Sequence, residues 1–367
     1  MIKVLVVDDS ALMRKLIPQI LERDNMIQVV GTAMDGQFAL KKIADLRPDV
    51  ITLDLEMPRM DGMETLREIM KRYGLPVIIV SAHTKAGAAA TLRALSIGAF
   101  DFVAKPRDVL SAQLEGIAQE LSTKIRVAAA SRKMKSAPAT EVAPPVRKKK
   151  LEYGIAQRAV AIGLSTGGPN ALHYLLSHLP AEFPAAVLVV QHMPEGFTEM
   201  LARRLDETCS LSVKEAQSGD LLLAGRALIC PGNRHIKVRR MPLGNIALLS
   251  NEAAVKGHRP SVDVLFSSLA HEFGPEGVAV LMTGMGEDGA DGMGEVRAHG
   301  GITIAQNEES CVVYGMPRTA IERGYARRIL PLESIPGALM AQFDPDDHPA
   351  TGSSGTPRRG GTAEMND

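Results

Sequence analysis

Short apolar runs rich in β-branched residues alternate with segments of helical periodicity through most of the chain. This alternation constrains the fold more than any other feature, because it is typical of parallel sheets whose faces are covered by helices. Strands are predicted at residues 3–7, 28–32, 50–53, 77–81 and 101–103, and again at 159–163, 186–191, 227–230, 278–283 and 302–305. Two further runs, 236–238 and 246–249, predict a hairpin. The predicted fold class is therefore α/β, with two doubly wound parallel-sheet domains, the second larger than the first.

Two segments lack this alternation and divide the chain. Residues 127–150 combine Ala, Pro and Ser with basic residues, which predicts a flexible linker, and residues 344–367 have the composition of a disordered tail. The sequence thus predicts a first domain at 1–124, a linker at 125–151, a second domain at 152–343 and a tail at 344–367. We interpret the basic run at 148–150 as a solvated end of the linker; a nucleic-acid patch is the alternative.

The composition argues against several classes of function. Lys plus Arg and Asp plus Glu both number 42, so the net charge gives no reason to expect nucleic acid or an anionic membrane as a partner. The absence of Trp disfavours a stacking surface for single-stranded nucleic acid. The three cysteines are widely spaced, and no apolar run approaches the length of a membrane span. We therefore expect a cytoplasmic protein.

Charged and hydroxyl side chains follow four of the five predicted strands of the first domain. Asp8 and Asp9 follow the first strand, Asp54 follows the third, Ser81 ends the fourth and Lys105 comes after the fifth. The carboxyl ends of parallel strands meet at one edge of a sheet, where ligands bind. Three carboxylates at that edge repel one another unless a cation joins them, and hard oxygen ligands suit Mg²⁺. Taken singly, each acid is equally explained as a loop residue or a helix cap.

The motifs VDDS (7–10), LDLEMPRMDG (53–62), VSAH (80–83) and AKP (104–106) resemble those of response-regulator receiver domains. The resemblance covers about residues 1–124 and implies a flavodoxin-like fold in which Asp54 accepts phosphate from a histidine kinase. It also implies that Asp8, Asp9 and Asp54, with the backbone carbonyl of Glu56, hold the Mg²⁺ ion.

The same resemblance implies a switch beside the phosphorylated residue. Ser81 would bind the phosphoryl oxygens, Lys105 would be their counter-ion, and Phe102 occupies the position of the family's aromatic switch. The family often has a cis bond where Lys105–Pro106 falls. Extra negative charge at Asp54 is then expected to draw in Ser81 and reshape the neighbouring face.

Three loops that follow predicted strands of the second domain carry reactive side chains. Ser165 lies in GLSTGGP (163–169), a glycine-flanked turn before a helix that formally matches G-x-S-x-G and equally suits a phosphate cradle. His192 lies in QHMP (191–194), and Asp288 lies in the glycine-rich, acidic TGMGEDGADG (283–292). Taken singly, the histidine is as well explained by a structural role, and the acidic loop by a metal site or a plain turn.

Together these three side chains are the components of a nucleophile, its base and an orienting carboxylate. Their order along the chain is Ser165, His192, Asp288, whereas an α/β-hydrolase has the order Ser, Asp, His. Two alternatives restore that order: Asp263 followed by His271, or Asp288 followed by His299.

The motifs IGLSTGGP, VVQHMPEGFT, HRPSVDVLF, MTGMGEDGADG and AQNEESCVVYGMPRTAIERG resemble the catalytic domain of the chemotaxis protein-glutamate methylesterases. With the receiver-like domain in front, the resemblance covers nearly all of residues 1–343. It implies hydrolysis of glutamate γ-methyl esters on chemoreceptors with release of methanol, and deamidation of receptor glutamines to glutamate. A chemotaxis histidine kinase would be the phosphodonor, and the protein would meet the membrane only through receptors.

The expected chemistry follows from this assignment. Ser165 attacks the ester carbonyl, His192 takes its proton and Asp288 orients the imidazole; no metal is needed for hydrolysis. The amide of Thr166 follows the nucleophile and is one candidate oxyanion donor, and by family likeness Met285 is the second. Two rival functions remain at this stage: a transcription regulator, because receivers often precede DNA-binding domains, and a receiver-linked esterase for small molecules.

Overall fold

The structure is a computed structural model that describes residues 1–82, 84–105, 113–131 and 154–343. The predicted tail, most of the predicted linker and Pro106 lie outside the described residues. Strands and helices alternate without exception in the first domain, in the order β1 (Ile2–Val7), α1 (Ala11–Leu21), β2 (Ile27–Ala33), α2 (Gly36–Leu46), β3 (Val50–Leu53), α3 (Gly62–Arg72), β4 (Val77–Ser81), α4 (Lys85–Ile97), β5 (Asp101–Ala104) and α5 (Gln113–Ser131).

The first sheet is parallel throughout, with the strand order β2-β1-β3-β4-β5. Alternate residues of its central strands are buried against opposite faces, one covered by α1 and α5 and the other by α2, α3 and α4. Strands buried on both faces read as continuous apolar runs, which is why they are visible in the sequence. The predicted doubly wound sheet is confirmed.

Side-chain caps fix where four of these helices begin. Ser10, Asp35, Asp61 and Thr84 each precede a helix and accept a hydrogen bond from the amide three residues later. Such a cap satisfies one of the amides that the first helical turn leaves without a partner. The loop lengths between strands and helices, and hence the positions of Asp8 and Asp54, are set in this way.

The boundary at residue 124 is earlier than the structure places it. Helix α5 continues to Ser131, and Ile125 and Ala128 are buried in the core of the first domain. The Ala-rich composition of this stretch suits a helix as well as a linker, and the apolar spacing of three residues favours the helix.

The second domain contains a larger sheet and a separate hairpin. Its elements are β6 (Ala159–Leu164), α6 (Gly168–Ser177), β7 (Ala186–Gln191), α7 (Phe197–Thr208), β8 (Ser212–Glu215), β9 (Arg226–Ile229), β10 (His235–Arg239), β11 (Ile246–Ser250), α8 (Val262–Phe273), β12 (Gly277–Leu281), α9 (Ala290–Ala298), β13 (Ile302–Gln306), α10 (Met316–Glu322), β14 (Arg328–Leu330) and α11 (Ile335–Gln342).

Seven parallel strands form the second sheet in the order β14-β13-β12-β6-β7-β9-β8. The predicted hairpin is confirmed as the antiparallel pair β10 and β11. Strands β8 and β14 are not predicted from the sequence. Both are short edge strands whose side chains are mostly half-buried or exposed, so they lack the apolar run on which the strand predictions depend.

Each sheet has a switch point, where successive strands turn to opposite sides of the first strand. In the first sheet β2 and β3 flank β1, and in the second β7 and β12 flank β6. The loops that follow these strands form a crevice at the carboxyl edge, the usual place for a ligand in an open α/β sheet. Among the helices of the described ranges, none is long and apolar enough to cross a membrane.

Candidate active site and phosphorylation site

Ser165 lies in the loop between β6 and α6, at the switch point of the second sheet. Its amide donates to the carbonyl of Thr283 in the loop after β12 at 3.0 Å, and its carbonyl accepts from the side-chain amide of Gln191 at 2.8 Å. Gly167 has a φ of 77°, a conformation that favours glycine, and Val312 fills the space that a side chain would need. This tight turn fixes the backbone of the loop that carries the half-buried Ser165.

His192 and Asp288 meet beside the Ser165 loop. His192 follows β7, its amide donates to the carbonyl of Leu164 at 3.0 Å, and its Nε2 lies 2.7 Å from Oδ2 of Asp288. Asp288 comes from the loop between β12 and α9. Because β7 and β12 are the two neighbours of β6, the topology alone brings the loops of Ser165, His192 and Asp288 together.

Asp288 is almost completely buried and is held by four donors. Besides His192, it accepts hydrogen bonds from the Ser261 hydroxyl at 2.7 Å and from the Val262 and Asp263 amides at 2.7 and 3.1 Å. Both amides belong to the first turn of α8, whose dipole also favours a negative charge. Burial by itself raises the pKa of Asp288, but these hydrogen bonds and the His192 ring outweigh it and hold the pKa far below its usual range.

This environment determines which ring nitrogen of His192 can act as a base. The ionised Asp288 can only accept, so Nε2 of His192 carries the proton in their hydrogen bond. In the neutral ring Nδ1 then has the free lone pair. Nδ1 is buried and has no hydrogen-bond partner among the described residues, so the bond between Ser165 and His192 is not formed in this arrangement.

The two candidate oxyanion donors flank Ser165. Thr166 is buried, and its carbonyl accepts from the Thr283 hydroxyl at 2.9 Å. Met285 follows Gly284, which packs so closely on the nucleophile loop that a side chain at 284 would lie 2.8 Å from Cβ of Ser165. Neither the Thr166 amide nor the Met285 amide has a hydrogen-bond partner within the described residues.

The alternative pairings are not brought together. Asp263 forms an ion pair with Lys256 at 2.8 Å and accepts from the Gly292 amide, and it contacts no histidine within the described part of the chain. His271 and His299 are exposed helix-end residues whose Nδ1 atoms bond to carbonyls of their own helices. The hydrolase order of residues therefore has no structural counterpart.

The carboxylates of the first domain meet at its switch point. Oxygen atoms of Asp8, Asp9 and Asp54 all lie within 4.8 Å of one another. Lys105 reaches into this cluster, with Nζ 2.6 Å from Asp54 and 3.0 Å from Asp8. Burial, with the nearby Asp8 charge, raises the pKa of Asp54 despite the opposing effect of Lys105. A divalent cation would offset this carboxylate repulsion, and the all-oxygen donor set is one that Mg²⁺ prefers.

The switch residues are placed around this cluster but not all point at it. The Ser81 hydroxyl donates to the carbonyl of Gly87 at 3.2 Å in α4 and does not contact Asp54. The Phe102 ring is buried and stacks on Phe197 of the second domain, with ring centroids 4.8 Å apart. Glu56 contributes its amide to Asp54 at 3.2 Å.

The first domain packs against the second beside Ser165. Helix α4 lies on α6 and α7, where Asn170 and Arg204 donate to the carbonyls of Leu95 and Leu92 at 2.9 and 2.5 Å. Asp101, the residue before Phe102, accepts a hydrogen bond at 2.7 Å from the hydroxyl of Thr166. Strand β5, which carries Phe102, thus directly contacts Thr166, the residue after Ser165.

Comparison with known proteins agrees with both parts of this description. Residues 4–115 match the response regulator receiver domain family, and residues 160–339 match the family described as CheB methylesterase. A protein-glutamate methylesterase/protein-glutamine glutaminase of Koribacter versatilis is 59% identical over 93% of this chain and 96% of its own length. The chain belongs to this methylesterase/glutaminase family.

Other relatives of the methylesterase support the same assignment. The Symbiobacterium thermophilum protein-glutamate methylesterase/protein-glutamine glutaminase is 50% identical over 92% of this chain and 96% of its own length. The crystal structure of the Thermotoga maritima CheB methylesterase catalytic domain is 41% identical, covers 51% of this chain and 98% of its own, and superposes with a TM-score of 0.50. The resemblance stated from the sequence motifs is confirmed.

Several residues of the methylesterase site were not found from the sequence. Gln191 holds the Ser165 carbonyl, Ser261 holds Asp288, and Asp101 bonds to Thr166. The ring of His258 stacks on that of His192, with centroids 4.0 Å apart. Gln191 and His258 lie within conspicuous motifs, but only the tertiary structure shows which side chain each one contacts.

Proposed function

We propose that this chain hydrolyses glutamate γ-methyl esters on chemoreceptors, releasing methanol, and deamidates receptor glutamines to glutamate. The observation that carries the proposal is the buried His192–Asp288 pair beside Ser165, at the switch point of a sheet that belongs to a methylesterase family. A chemotaxis histidine kinase is the proposed phosphodonor, because residues 4–115 form a receiver domain.

The first half of the reaction is acyl transfer to the enzyme. Ser165 Oγ attacks the side-chain carbonyl of the substrate glutamate, and Nδ1 of His192 takes the hydroxyl proton. Asp288 keeps the other proton on Nε2 and stabilises the imidazolium that forms. The free amides of Thr166 and Met285 are the proposed donors to the oxyanion. His192 then returns its proton to the departing methoxide, which leaves as methanol.

The second half regenerates the enzyme. Water attacks the acyl group on Ser165 and His192 takes one of its protons; His192 then returns this proton to Ser165 Oγ as the ester bond breaks, and the glutamate product leaves. A receptor glutamine follows the same route with ammonia as the first product. Because an amide is a poorer acyl donor than an ester, we expect deamidation to require the same residues and to be slower. Ser165 must first rotate towards Nδ1 of His192, since these atoms are not bonded in the structure.

Phosphorylation of Asp54 is the proposed control. Asp8, Asp9 and Asp54 would hold Mg²⁺, which would neutralise charge between the carboxylate and the phosphodonor. Lys105 is positioned to pair with the phosphoryl group once it is on Asp54. Ser81 would have to leave the carbonyl of Gly87 to reach it, which alters the start of α4.

The proposed consequence is release of the receiver from the catalytic domain. Helix α4 and Phe102 form the contact with α6 and α7, so changes at Ser81 and Phe102 act directly on it. With the receiver in place, Thr166 is buried beside the site that a receptor helix must reach. A tenfold rise in activity requires only about 1.4 kcal/mol of differential affinity between the docked and released states.

The test of the activity is methanol release from methylated receptor membranes, with free glutamate methyl ester as a comparison substrate. We expect release from the membranes by the wild type and none by Ser165→Ala. Equal turnover of the free ester would instead indicate an esterase for small molecules. Absence of methanol, together with steeply salt-dependent binding to duplex DNA, would favour a transcription regulator.

A further inference from the structure

A second histidine lies flat against the catalytic one. The rings of His258 and His192 are stacked with centroids 4.0 Å apart and planes inclined by 8°. His258 does not bond to Asp288, whose four donors are His192, Ser261, Val262 and Asp263. The contact between the two histidines is therefore one of ring faces, separate from the hydrogen bonds that hold Asp288.

The position of His258 is fixed by its own backbone. The amide of Val255 donates to the carbonyl of His258 at 3.0 Å, and the amide of His258 returns the bond at 2.9 Å. The two residues between them, Lys256 and Gly257, have φ angles of 49° and 81°, as a tight turn of the type I′ class requires. Arg259, the next residue of the loop, donates a side-chain hydrogen bond to Oδ1 of Asn233 at 2.6 Å. The loop is thus a rigid support for the His258 ring.

His192 needs such a support. Its side chain has a single hydrogen bond, from Nε2 to Asp288, and Nδ1 has no partner among the described residues. One hydrogen bond at Nε2 still allows the ring plane to rock about the Cβ–Cγ bond. A flat neighbour removes that freedom, because the ring can tilt only by losing the stacked contact. The stack therefore limits tilting of the His192 ring while Nε2 stays bonded to Asp288.

The same contact suits the charge that develops during the reaction. Each proton transfer makes His192 an imidazolium, and a neutral aromatic face attracts a cation placed over it. His258 must itself stay neutral for this, because two imidazolium rings at 4.0 Å would repel each other. Its burial and the closeness of His192 favour the neutral form, while the Asp288 charge opposes it only weakly.

We propose that His258 is a positioning residue for the hydrolysis, which orients His192 by stacking on its ring and stabilises its protonated form. This inference rests on the proposed function for the identity of the substrate, but it concerns the base of the reaction. Its direct consequence is that the aromatic face of residue 258 matters for turnover, whereas its ring nitrogens do not.

The experiment compares His258→Ala and His258→Phe in the intact protein, with His271→Ala as a matched control. His271 is an exposed histidine that does not contact the triad. For methanol release from receptor membranes, we expect His258→Ala to lower kcat about 10- to 100-fold with KM within about twofold, by analogy with the loss of a partner that orients a metal-ligating side chain. His258→Phe should recover most of kcat, and His271→Ala should match the wild type.

A second readout is independent of the substrate assignment. A fluorophosphonate probe reacts with an activated serine: Ser165 Oγ bonds to phosphorus, fluoride leaves, and His192 takes the proton. The labelling rate should fall in His258→Ala and recover in His258→Phe, with both variants keeping the wild-type unfolding temperature within a few degrees. Full activity of His258→Ala, or a phenylalanine variant no better than the alanine variant in kcat and labelling, would overturn the proposal. A wild type that is labelled but releases no methanol would refute the proposed substrate. The labelling rates of the two His258 variants would then decide the stacking inference.

Discussion

At the residue scale, the proposed reaction requires that Asp288 stay charged although it is buried. Four hydrogen-bond donors favour its charged form. Asp288 is 1% exposed, and its bonds to His192 and to the first turn of α8 make it both the orienting group of the base and part of the fold. The neighbouring Asp263 is also buried but pairs with Lys256 instead. These two acids therefore make a matched pair for mutagenesis.

Replacing Asp288 by Asn should keep the packing and fix the wrong tautomer, because an amide can donate to Nε2 of His192. We expect methanol release to fall by about 10⁴-fold, the loss seen for this change in another triad. Asp263→Asn should lose less than about tenfold, because it keeps an acceptor for the Gly292 amide. Receptor-membrane assays and circular dichroism of both variants check this. An active Asp288→Asn beside an inactive Asp263→Asn would contradict the assignment.

His258 also gives a pH-dependent prediction. Burial and the neighbouring His192 lower its pKa to about 4 from an ordinary value of 6.5. Between these two pH values the unfolded chain binds a proton that the folded chain does not, so the free energy of unfolding decreases as the pH falls. The part of the free energy of unfolding that depends on a neutral His258 is fully present above pH 6.5 and is lost progressively towards pH 4. Thermal unfolding at pH 7 and pH 5 should show a smaller loss in His258→Phe than in the wild type; equal losses would contradict this.

Site residues that follow strands can be predicted from the sequence, whereas those brought in by tertiary packing cannot. Ser165, His192 and Asp288 each come just after a strand, so the rule that parallel strands share a carboxyl edge suffices to group them. Asp101 lies 65 positions before its partner Thr166, and His258 lies 66 positions after its partner His192. Both contacts arise from tertiary packing, which the periodicity of the sequence does not predict. The sequence likewise does not show which ring nitrogen of His192 faces Asp288; the hydrogen bond in the structure does.

At the scale of elements, strands buried on both faces can be predicted from the sequence, whereas short or half-polar elements cannot. Central strands were predicted within one or two residues because burial on both faces makes them continuous apolar runs. The edge strands β8 and β14 and the end of α5 were not, because short half-polar strands and Ala-rich helices resemble loops and linkers in composition. Helix α4, which we propose to carry the regulatory contact, is implied in the sequence only by the alternation. Its contact with α7 could not be anticipated.

Loosening the α4–α7 contact should raise basal activity. The Arg204 guanidinium donates to the Leu92 carbonyl at 2.5 Å, and a hydrogen bond from a charged group contributes about 1.5 kcal/mol, or about tenfold in the docking equilibrium. We expect Arg204→Ala to increase methanol release without phosphodonor several-fold and to reduce the further activation by phosphodonor. Arg72→Ala, which removes only an exposed pair within α3, is the control. Unchanged basal activity of Arg204→Ala would contradict the docking account.

At the scale of the whole molecule, two sheets with different chemistry at their edges are joined by an interface formed by α4 and β5 of the first domain. The acid cluster at the edge of the first sheet is the proposed phosphorylation site, and Phe102 and Asp101 on β5 contact Phe197 and Thr166 of the second domain. We propose that this contact conveys phosphorylation to the loop that carries Ser165. Domain order and both sheets were predictable from the sequence, but their mutual packing was not.

Asp54 should be the only phosphorylated carboxylate. Incubation with Mg²⁺ and a small phosphodonor should label the wild type and not Asp54→Asn, because Asp54 occupies the acceptor position implied by the receiver resemblance and lies closest to Lys105, at 2.6 Å against 3.0 Å for Asp8. Chelation of the metal should abolish labelling. Label that persists in Asp54→Asn, or in the absence of divalent cations, would show that the phosphoryl group is accepted elsewhere.

We propose that the docked receiver restrains a serine esterase until Asp54 is phosphorylated. The decisive comparison is of methanol release from methylated receptor membranes by the intact protein, with and without phosphodonor, and by a fragment that begins at about Glu152. We predict that the fragment is faster than the unphosphorylated intact protein and insensitive to phosphodonor. A fragment no faster than the intact protein, alongside strong activation of the intact protein by phosphodonor, would contradict restraint and indicate active stimulation instead.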